Sequence, residues 1–181
     1  MIVQGQLEVF MNEVTLPEML EAREHRVMLQ QHMLSAAPGA LICLTLNIPG
    51  PHKVFEGIPF LYDTGCQRIR NILSDEHIEI TDKVTIKEKT GYEAYYAVDA
   101  EADVVKKLMV TIEDQDAIGR LFDIDIIKPD GYKVSREELG LPGRRCLLCG
   151  ESAQVCARSR RHSVDELIAR IKDMLREASS H

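Results

Sequence analysis

The chain has 181 residues, 45% of them apolar and 28% charged, enough for one ordinary globular domain with a real core and too few for two full ones. A formal charge of −7 argues against a protein that coats free nucleic acid through its general field, and no apolar run approaches the roughly 18 to 20 residues needed to cross a bilayer. Met1 to Phe10 lacks the basic-then-apolar layout of a signal peptide, and three of the five cysteines crowd between Cys146 and Cys156, so a soluble, cytoplasmic protein with reduced thiols is expected.

Thr15-Leu16-Pro17-Glu18 has the form of a helix start, with Thr15 as N-cap, Glu18 as its capping-box partner and Pro17 in the first turn. The helix should run to about Leu34 and end at Ala36-Ala37-Pro38-Gly39. At roughly 100° per residue, Leu16, Met19, Leu20, Ala22, Val27, Leu29, Met33 and Leu34 fill one broad arc, with Arg23, Arg26 and Gln30 inside it. Guanidiniums embedded in an apolar arc need partners. Those partners are either internal acids or the phosphates of a ligand, to which the bidentate fork of arginine is suited.

Ala40 to Ile48 is an apolar run too short for a typical helix, closed by Pro49-Gly50-Pro51, and reads as a buried strand. Asp63 to Leu73 can form a short helix. His77 to Thr81 and Lys83 to Lys87 alternate polar and apolar, and Thr90-Gly91 separates them from Tyr92 to Val98, which predicts antiparallel pairing. Asp103 to Leu108 allows one or two helical turns, and Met109 to Glu113 looks extended. Gly119 opens a strand, Arg120 to Ile127, that ends at the Pro129-Asp130-Gly131 turn. The last helix starts at Ser163, with Glu166 as capping partner, and places Leu167, Ile168, Ile171, Leu175 and Ala178 on one face. The order predicts an α+β fold, a mixed sheet flanked by helices in a single domain, with a cysteine-containing segment from about residue 143 packed onto it.

In the strand that holds Asp123 and Asp125, alternation puts Phe122, Ile124 and Ile126 on one face and both acids on the other, roughly 7 Å apart. Two carboxylates inside an apolar run repel each other unless something positive sits between them. Magnesium answers that need, because it prefers oxygen ligands and is anchored by one or two carboxylates plus substrate phosphates. The competing reading is an edge strand whose aspartates face water. Glu79, Glu113 and Asp114, on or beside predicted strands, are the candidates for a third carboxylate.

Cys146, Cys149, Cys156 and His162 give the string C-x2-C-x6-C-x5-H, a spacing that can close a tetrahedral zinc site, with Gly150 allowing the turn. The competing reading is reduced cysteines that pack as small apolar residues. Between Gly131 and His162 seven basic residues (Lys133, Arg136, Arg144, Arg145, Arg158, Arg160, Arg161) face three acids (Glu137, Glu138, Glu151), a local balance of +4 that would draw an anionic ligand or partner.

Gly119-Arg120-Leu121-Phe122-Asp123-Ile124-Asp125, Ser135-Arg136, Arg144-Arg145-Cys146-Leu147-Leu148-Cys149, Val155-Cys156-Ala157-Arg158 and His162 together resemble the phosphoribosyl-dephospho-CoA transferases of citrate lyase, the holo-acyl-carrier-protein synthases. Glu21-Ala22-Arg23-Glu24 with Arg26 and Gln30, and Leu46-Asn47-Ile48-Pro49-Gly50-Pro51 with Lys53, are similar to the same family, so the resemblance covers essentially the whole chain. Asp116-Ala117 departs from it, where His-Pro is the family's pattern.

The resemblance implies a nucleotidyltransferase-like fold and a magnesium-dependent transfer. Phosphoribosyl-dephospho-CoA would move from triphosphoribosyl-dephospho-CoA to a serine of the acyl-carrier (γ) subunit, with release of pyrophosphate. Asp123 and Asp125 would hold the metal. Arg23, Arg26, Lys53, Gly119, Arg120, Arg144 and Arg145 would bind substrate, and neither nucleic acid nor membrane is expected as a partner. A zinc-binding interaction module would rest on the cysteine cluster alone and leave the acid pair without a purpose. A regulatory subunit would need neither metal nor phosphate site.

Overall fold

The computed structural model describes residues 13–180, so the reading of Met1 to Phe10 lies outside the described residues. In chain order the elements are α1 (Leu16–Ala36), β1 (Ala40–Leu46), α2 (Ile58–Asp75), β2 (Ile80–Glu88), β3 (Gly91–Val98), α3 (Ala102–Asp114), a 3-10 turn (Ile118–Leu121), β4 (Phe122–Ile127), a second 3-10 turn (Glu137–Leu139), α4 (Ala153–Ser159) and α5 (Val164–Ser179). The strands form one sheet in the order β2-β3-β1-β4. Among the described residues no helix is long and apolar enough to cross a membrane.

The class is α+β, but the sheet is antiparallel throughout, not mixed. The chain leaves β1 through α2 and returns as a β2–β3 hairpin whose second strand, not its first, pairs with β1. β4 then adds antiparallel to the free side of β1. β1 is therefore central, and its continuous apolar run is buried over Ala40–Leu44 because both faces are covered. One face, carrying Ile42, Leu44, Tyr96, Phe122, Ile124 and Ile126, packs on α2, α3 and α5. The other, carrying Leu41, Cys43, Tyr95 and Ile127, packs on Met33 of α1.

Both capping boxes form as expected, Thr15 with Glu18 and Ser163 with Glu166. Several expected boundaries change, among them β1, which ends at Leu46, and β2, which is one strand from Ile80 across the expected His77–Thr81 and Lys83–Lys87 stretches. Asp114 ends one helix that begins at Ala102, so Met109 to Glu113 is helical, not extended. Its β-branched residues resemble a strand locally, yet Val105, Met109 and Ile112, at i, i+4 and i+7, bury one face against the sheet, and that tertiary packing wins. α2 is longer than the expected short helix, because Gly57 caps it with φ +91° and Pro59 sits in the first turn. β4 starts at Phe122, since Ile118 to Leu121 form the 3-10 turn.

The broad apolar arc expected on α1 is not buried as a unit. Met33 is buried, whereas Leu16, Leu20 and Val27 are exposed. Only the part of the arc that carries Arg26, Gln30 and Met33, at i, i+4 and i+7, meets the sheet.

Candidate active site

β4 places its acids as period-two alternation requires. Phe122, Ile124 and Ile126 enter the core, while Asp123 and Asp125 share the opposite, half-exposed face. Cross-strand, Asp123 stands beside Thr45 and Asp125 beside Cys43. Burial, and then the like charge of Asp123, push the Asp125 carboxyl above its ordinary value against the opposing pull of Lys133.

The positive charge that the acid pair needs comes first from the chain itself. The tight turn after β4, with Gly131 at φ +87°, folds back so that Val134 N–H donates to the Ile126 carbonyl and Lys133 Nζ reaches Asp125 Oδ2 at 2.6 Å. Arg144 Nη2 lies 3.8 Å from Asp123 Oδ1.

β4 is an edge strand, and its outer edge is capped by charged groups that the sequence reading did not assign to it. Glu113 of α3, 2% exposed, accepts from Ile124 N–H at 2.9 Å, from Arg136 Nη2 at 2.5 Å and from Arg144 Nη2. Lys106 of α3, also buried, donates to the Ile124 carbonyl at 2.8 Å, and Arg144 donates to the Phe122 carbonyl at 2.5 Å. Both Glu113 oxygens are thus engaged by protein donors. Asp114 is likewise paired with Arg136, and Glu79 is exposed beside β2, separated from β4 by β3 and β1. Neither acid joins the Asp123–Asp125 pair. The cap on β4 is the kind of device that prevents edge-to-edge pairing, and it also fixes Arg144 beside the acids.

The substrate-binding candidates divide by environment. Arg26 Nε donates to Glu93 Oε2 at 3.2 Å and its Nη2 to Glu93 Oε1, while the Tyr95 hydroxyl donates to the same carboxylate. Its partner is therefore an internal acid, with the Tyr95 hydroxyl beside it. Arg23 is exposed and forms no ion pair among the described residues. Lys53 donates to the Ile48 carbonyl at 2.5 Å, and burial, with the like charge of Arg23 beside it, lowers its pKa. Two cations without an acid between them favour an anion.

Gly119 has a packing role. A β-carbon there would lie 2.5 Å from the Ile112 carbonyl oxygen, and its N–H donates to Asp116 at 2.8 Å. Asp116 also takes both Arg68 nitrogens, at 3.1 and 2.6 Å, so the local departure at Asp116-Ala117 supplies its own turn anchor.

Arg120 donates to the carbonyls of Arg145 and Cys146, 2.8 Å each, and so braces the segment that follows Gly143. A cavity of about 900 Å³ opens there, with Arg120, Arg136, Arg144, Arg145 and Arg160 in its wall. Asp123 and Asp125 do not line this cavity. Arg144 connects the two, since it faces the cavity and approaches Asp123.

At the far side of the cavity Cys146, Cys149, Cys156 and His162 converge, with one ligand atom from each within 4.8 Å of all the others. Burial opposes ionisation of Cys146, yet the N–H groups of Leu148 and Cys149, with the neighbouring thiols, bring its pKa below the ordinary value.

Fold and site together define an α+β protein whose arginine-walled cleft, beside a carboxylate pair, is suited to a polyanion. Residues 14–178 match the family described as apo-citrate lyase phosphoribosyl-dephospho-CoA transferase. The chain is 38% identical over 167 residues to the "Probable apo-citrate lyase phosphoribosyl-dephospho-CoA transferase" of Vibrio cholerae O395, covering 92% of this chain and 94% of that one. Its identity to the "Apo-citrate lyase phosphoribosyl-dephospho-CoA transferase" of Escherichia coli O1:K1 is 32%, covering 92% and 91%. "Protein CitXG" of Haemophilus influenzae is 29% identical over 90% of this chain but only 35% of that longer protein. The chain belongs to the apo-citrate lyase phosphoribosyl-dephospho-CoA transferase family.

Proposed function

We propose that the chain is a cytoplasmic, magnesium-dependent nucleotidyltransferase that moves phosphoribosyl-dephospho-CoA from its triphosphoribosyl precursor onto a serine of the acyl-carrier (γ) subunit of apo-citrate lyase. The transferred group and the apo-citrate lyase acceptor follow from the names of the relatives. The observation that carries the reaction class is the pair Asp123 and Asp125, held on one face of β4 so closely that the charge of Asp123 adds to burial in raising the Asp125 carboxyl.

The pair fits magnesium. Both side chains offer only acceptor oxygens, they lie two residues apart on one face, and side-chain exposures of 48% and 28% leave room for water ligands. Bound there, the ion would neutralise charge on the triphosphate and acidify the incoming hydroxyl.

The other roles belong to the chain's own residues. Arg23 and Lys53 hold phosphate where no acid competes for them, and Arg26, half-buried and fixed by Glu93, adds positive charge on the same helix as Arg23. Arg120, Arg144 and Arg145 face the cavity and hold the pyrophosphate as it leaves. The serine oxygen bonds to the phosphorus nearest the ribose, the bond from that phosphorus to pyrophosphate breaks, and the hydroxyl proton is released. Exposed Arg145, Arg158, Arg160 and Arg161, which form no ion pairs among the described residues, provide the docking face for an acidic carrier.

The test is transfer of label from the triphosphoribosyl precursor to purified carrier subunit while magnesium is titrated into protein dialysed free of it. Asp123→Asn and Asp125→Asn should each lower the rate on the order of a hundredfold. A wild-type rate in either folded variant, or transfer independent of magnesium, refutes the reading.

A further inference from the structure

The segment from Arg144 to Ser163 contains little that would hold it folded through apolar packing. It has one short helix, α4, and its buried side chains are Cys146 and Cys156. Leu148 and Val155 are exposed, and Leu147, only partly buried against the edge of the main core, is the one large apolar anchor of the segment. Yet the segment is shaped in detail. Arg145 pairs with Ser152 in an antiparallel bridge, Cys146 N–H donates to the Glu151 carbonyl at 2.6 Å, and Ala153 N–H donates to the Arg144 carbonyl at 2.9 Å. Gly150 turns the chain between them with φ +71°.

This tight loop brings buried Cys146 and exposed Cys149 together at one end of the group. The first turn of α4 brings Cys156 beside them, its Sγ 3.4 Å from that of Cys149. Arg160, at φ +48°, then turns the chain back so that His162 completes the group. The His162 Nε2 atom is buried and has no hydrogen-bond partner, an arrangement that costs free energy unless something accepts its lone pair.

We propose that Cys146, Cys149, Cys156 and His162 form a closed, structural zinc site whose role is to hold the arginine wall of the cavity. The donor set is that of a tetrahedral site with three thiolates and one imidazole, and Zn–S of about 2.3 Å with Zn–N of about 2.0 Å requires donors separated by roughly 3.5 to 3.8 Å. The converging atoms lie within 4.8 Å of one another, so small rotations about the side-chain bonds close the tetrahedron without moving the backbone.

The consequence for the cavity follows from neighbouring contacts. Arg144 and Arg145 immediately precede Cys146, and the Arg120 guanidinium grips the carbonyls of Arg145 and Cys146. Anchoring Cys146 to a metal therefore fixes three cavity arginines, while Cys156 and His162 fix the end of α4 and the turn after it, which carry exposed Arg158, Arg160 and Arg161. Four protein ligands leave no open position, so the zinc does no chemistry on substrate. The proposal concerns a site separate from the Asp123–Asp125 pair and stands whether or not that pair binds magnesium.

The test is elemental analysis of untagged full-length protein purified without chelator. One zinc per chain is expected. It should be lost in Cys149→Ser, and released from the wild type when a mercurial titrates the thiols. It should be retained in Asp125→Asn and in Cys66→Ser, whose thiol lies in the core on α2. Cobalt replacing the zinc should show the thiolate charge-transfer and tetrahedral ligand-field bands of a site with three sulfur ligands and one nitrogen, a readout that needs no folded variant.

Release of the metal should also expose the segment carrying Arg145, Arg158, Arg160 and Arg161 to trypsin, with cleavage there faster on the order of tenfold while β1 to β4 remain protected. Absence of zinc in freshly purified reduced protein, or zinc that survives Cys149→Ser, overturns the proposal. Zinc lost in Asp125→Asn places the metal at the acid pair and overturns it as well. A failed transferase test with zinc still bound would refute the proposed reaction alone.

Discussion

Asp125 is the residue at which fold stability and the proposed chemistry oppose each other. Burial and the neighbouring charge of Asp123 raise its pKa above the value it has in the unfolded chain. A carboxyl raised in this way favours folding in its protonated form. Its contribution is complete below the unfolded pKa and is lost as pH rises through the folded one. At neutral pH the ionised group is therefore a burden that Lys133, 60% exposed, relieves only in part.

Asp125→Asn should accordingly unfold at higher urea concentration than the wild type at pH 8 without magnesium, and the gap should close at pH 3.5, where both side chains are neutral. Magnesium should stabilise the wild type and leave the variant unmoved. A variant less stable at pH 8 would mean that the Lys133 pair outweighs the repulsion. If magnesium binds the ionised pair as proposed, its affinity should weaken as pH falls and Asp125 takes up its proton.

At the scale of elements, the capped edge of β4 joins distant parts of the chain to the acids. Glu113 on α3 receives Ile124 N–H of the strand together with Arg136 and Arg144 of the following segment. Glu113→Ala would leave a buried N–H unpaired and two guanidiniums without their shared carboxylate, a loss of about 3 kcal/mol in urea unfolding. Asp114 continues to hold Arg136 and limits the damage. Glu113→Gln, which can still accept from Ile124 N–H, should cost less. Equal losses would show that the charge, and not the hydrogen bond to the strand, matters.

The sequence displayed the acids of this arrangement but not its cap. The pair Asp123 and Asp125 was legible because side-chain alternation in a strand is local, and the two capping boxes were legible because their partners are three residues apart. Arg26 and Glu93 are 67 positions apart, and Arg144 and Glu113 are 31 apart, so no periodicity joins them. The signal for α3 was present in Val105, Met109 and Ile112, but the β-branched run Val110-Thr111-Ile112 masked it. On α1 a broad apolar arc was visible, and the helix lies on the sheet through only the part of it that carries Arg26, Gln30 and Met33, because Arg26 has Glu93 beneath it.

For the molecule as a whole, the proposed docking of an acidic carrier to a chain of net charge −7 requires a local positive surface. Arg136 and Arg144 do not contribute to it, being neutralised by Glu113 and Asp114, so the positive balance of the segment is carried outward by Arg145, Arg158, Arg160 and Arg161. Arg158 and Arg161 lie on this face outside the cavity wall. Reversing both, in an Arg158→Glu/Arg161→Glu double variant, should raise KM for the carrier subunit on the order of tenfold at low salt through lost steering and added repulsion. KM for the triphosphoribosyl precursor should remain unchanged. In the wild type the carrier KM should rise with ionic strength as exposed charges are screened over about 10 Å at 0.1 M salt. In the double variant the slope should flatten or reverse, and a wild-type slope there would place the docking face elsewhere on the molecule.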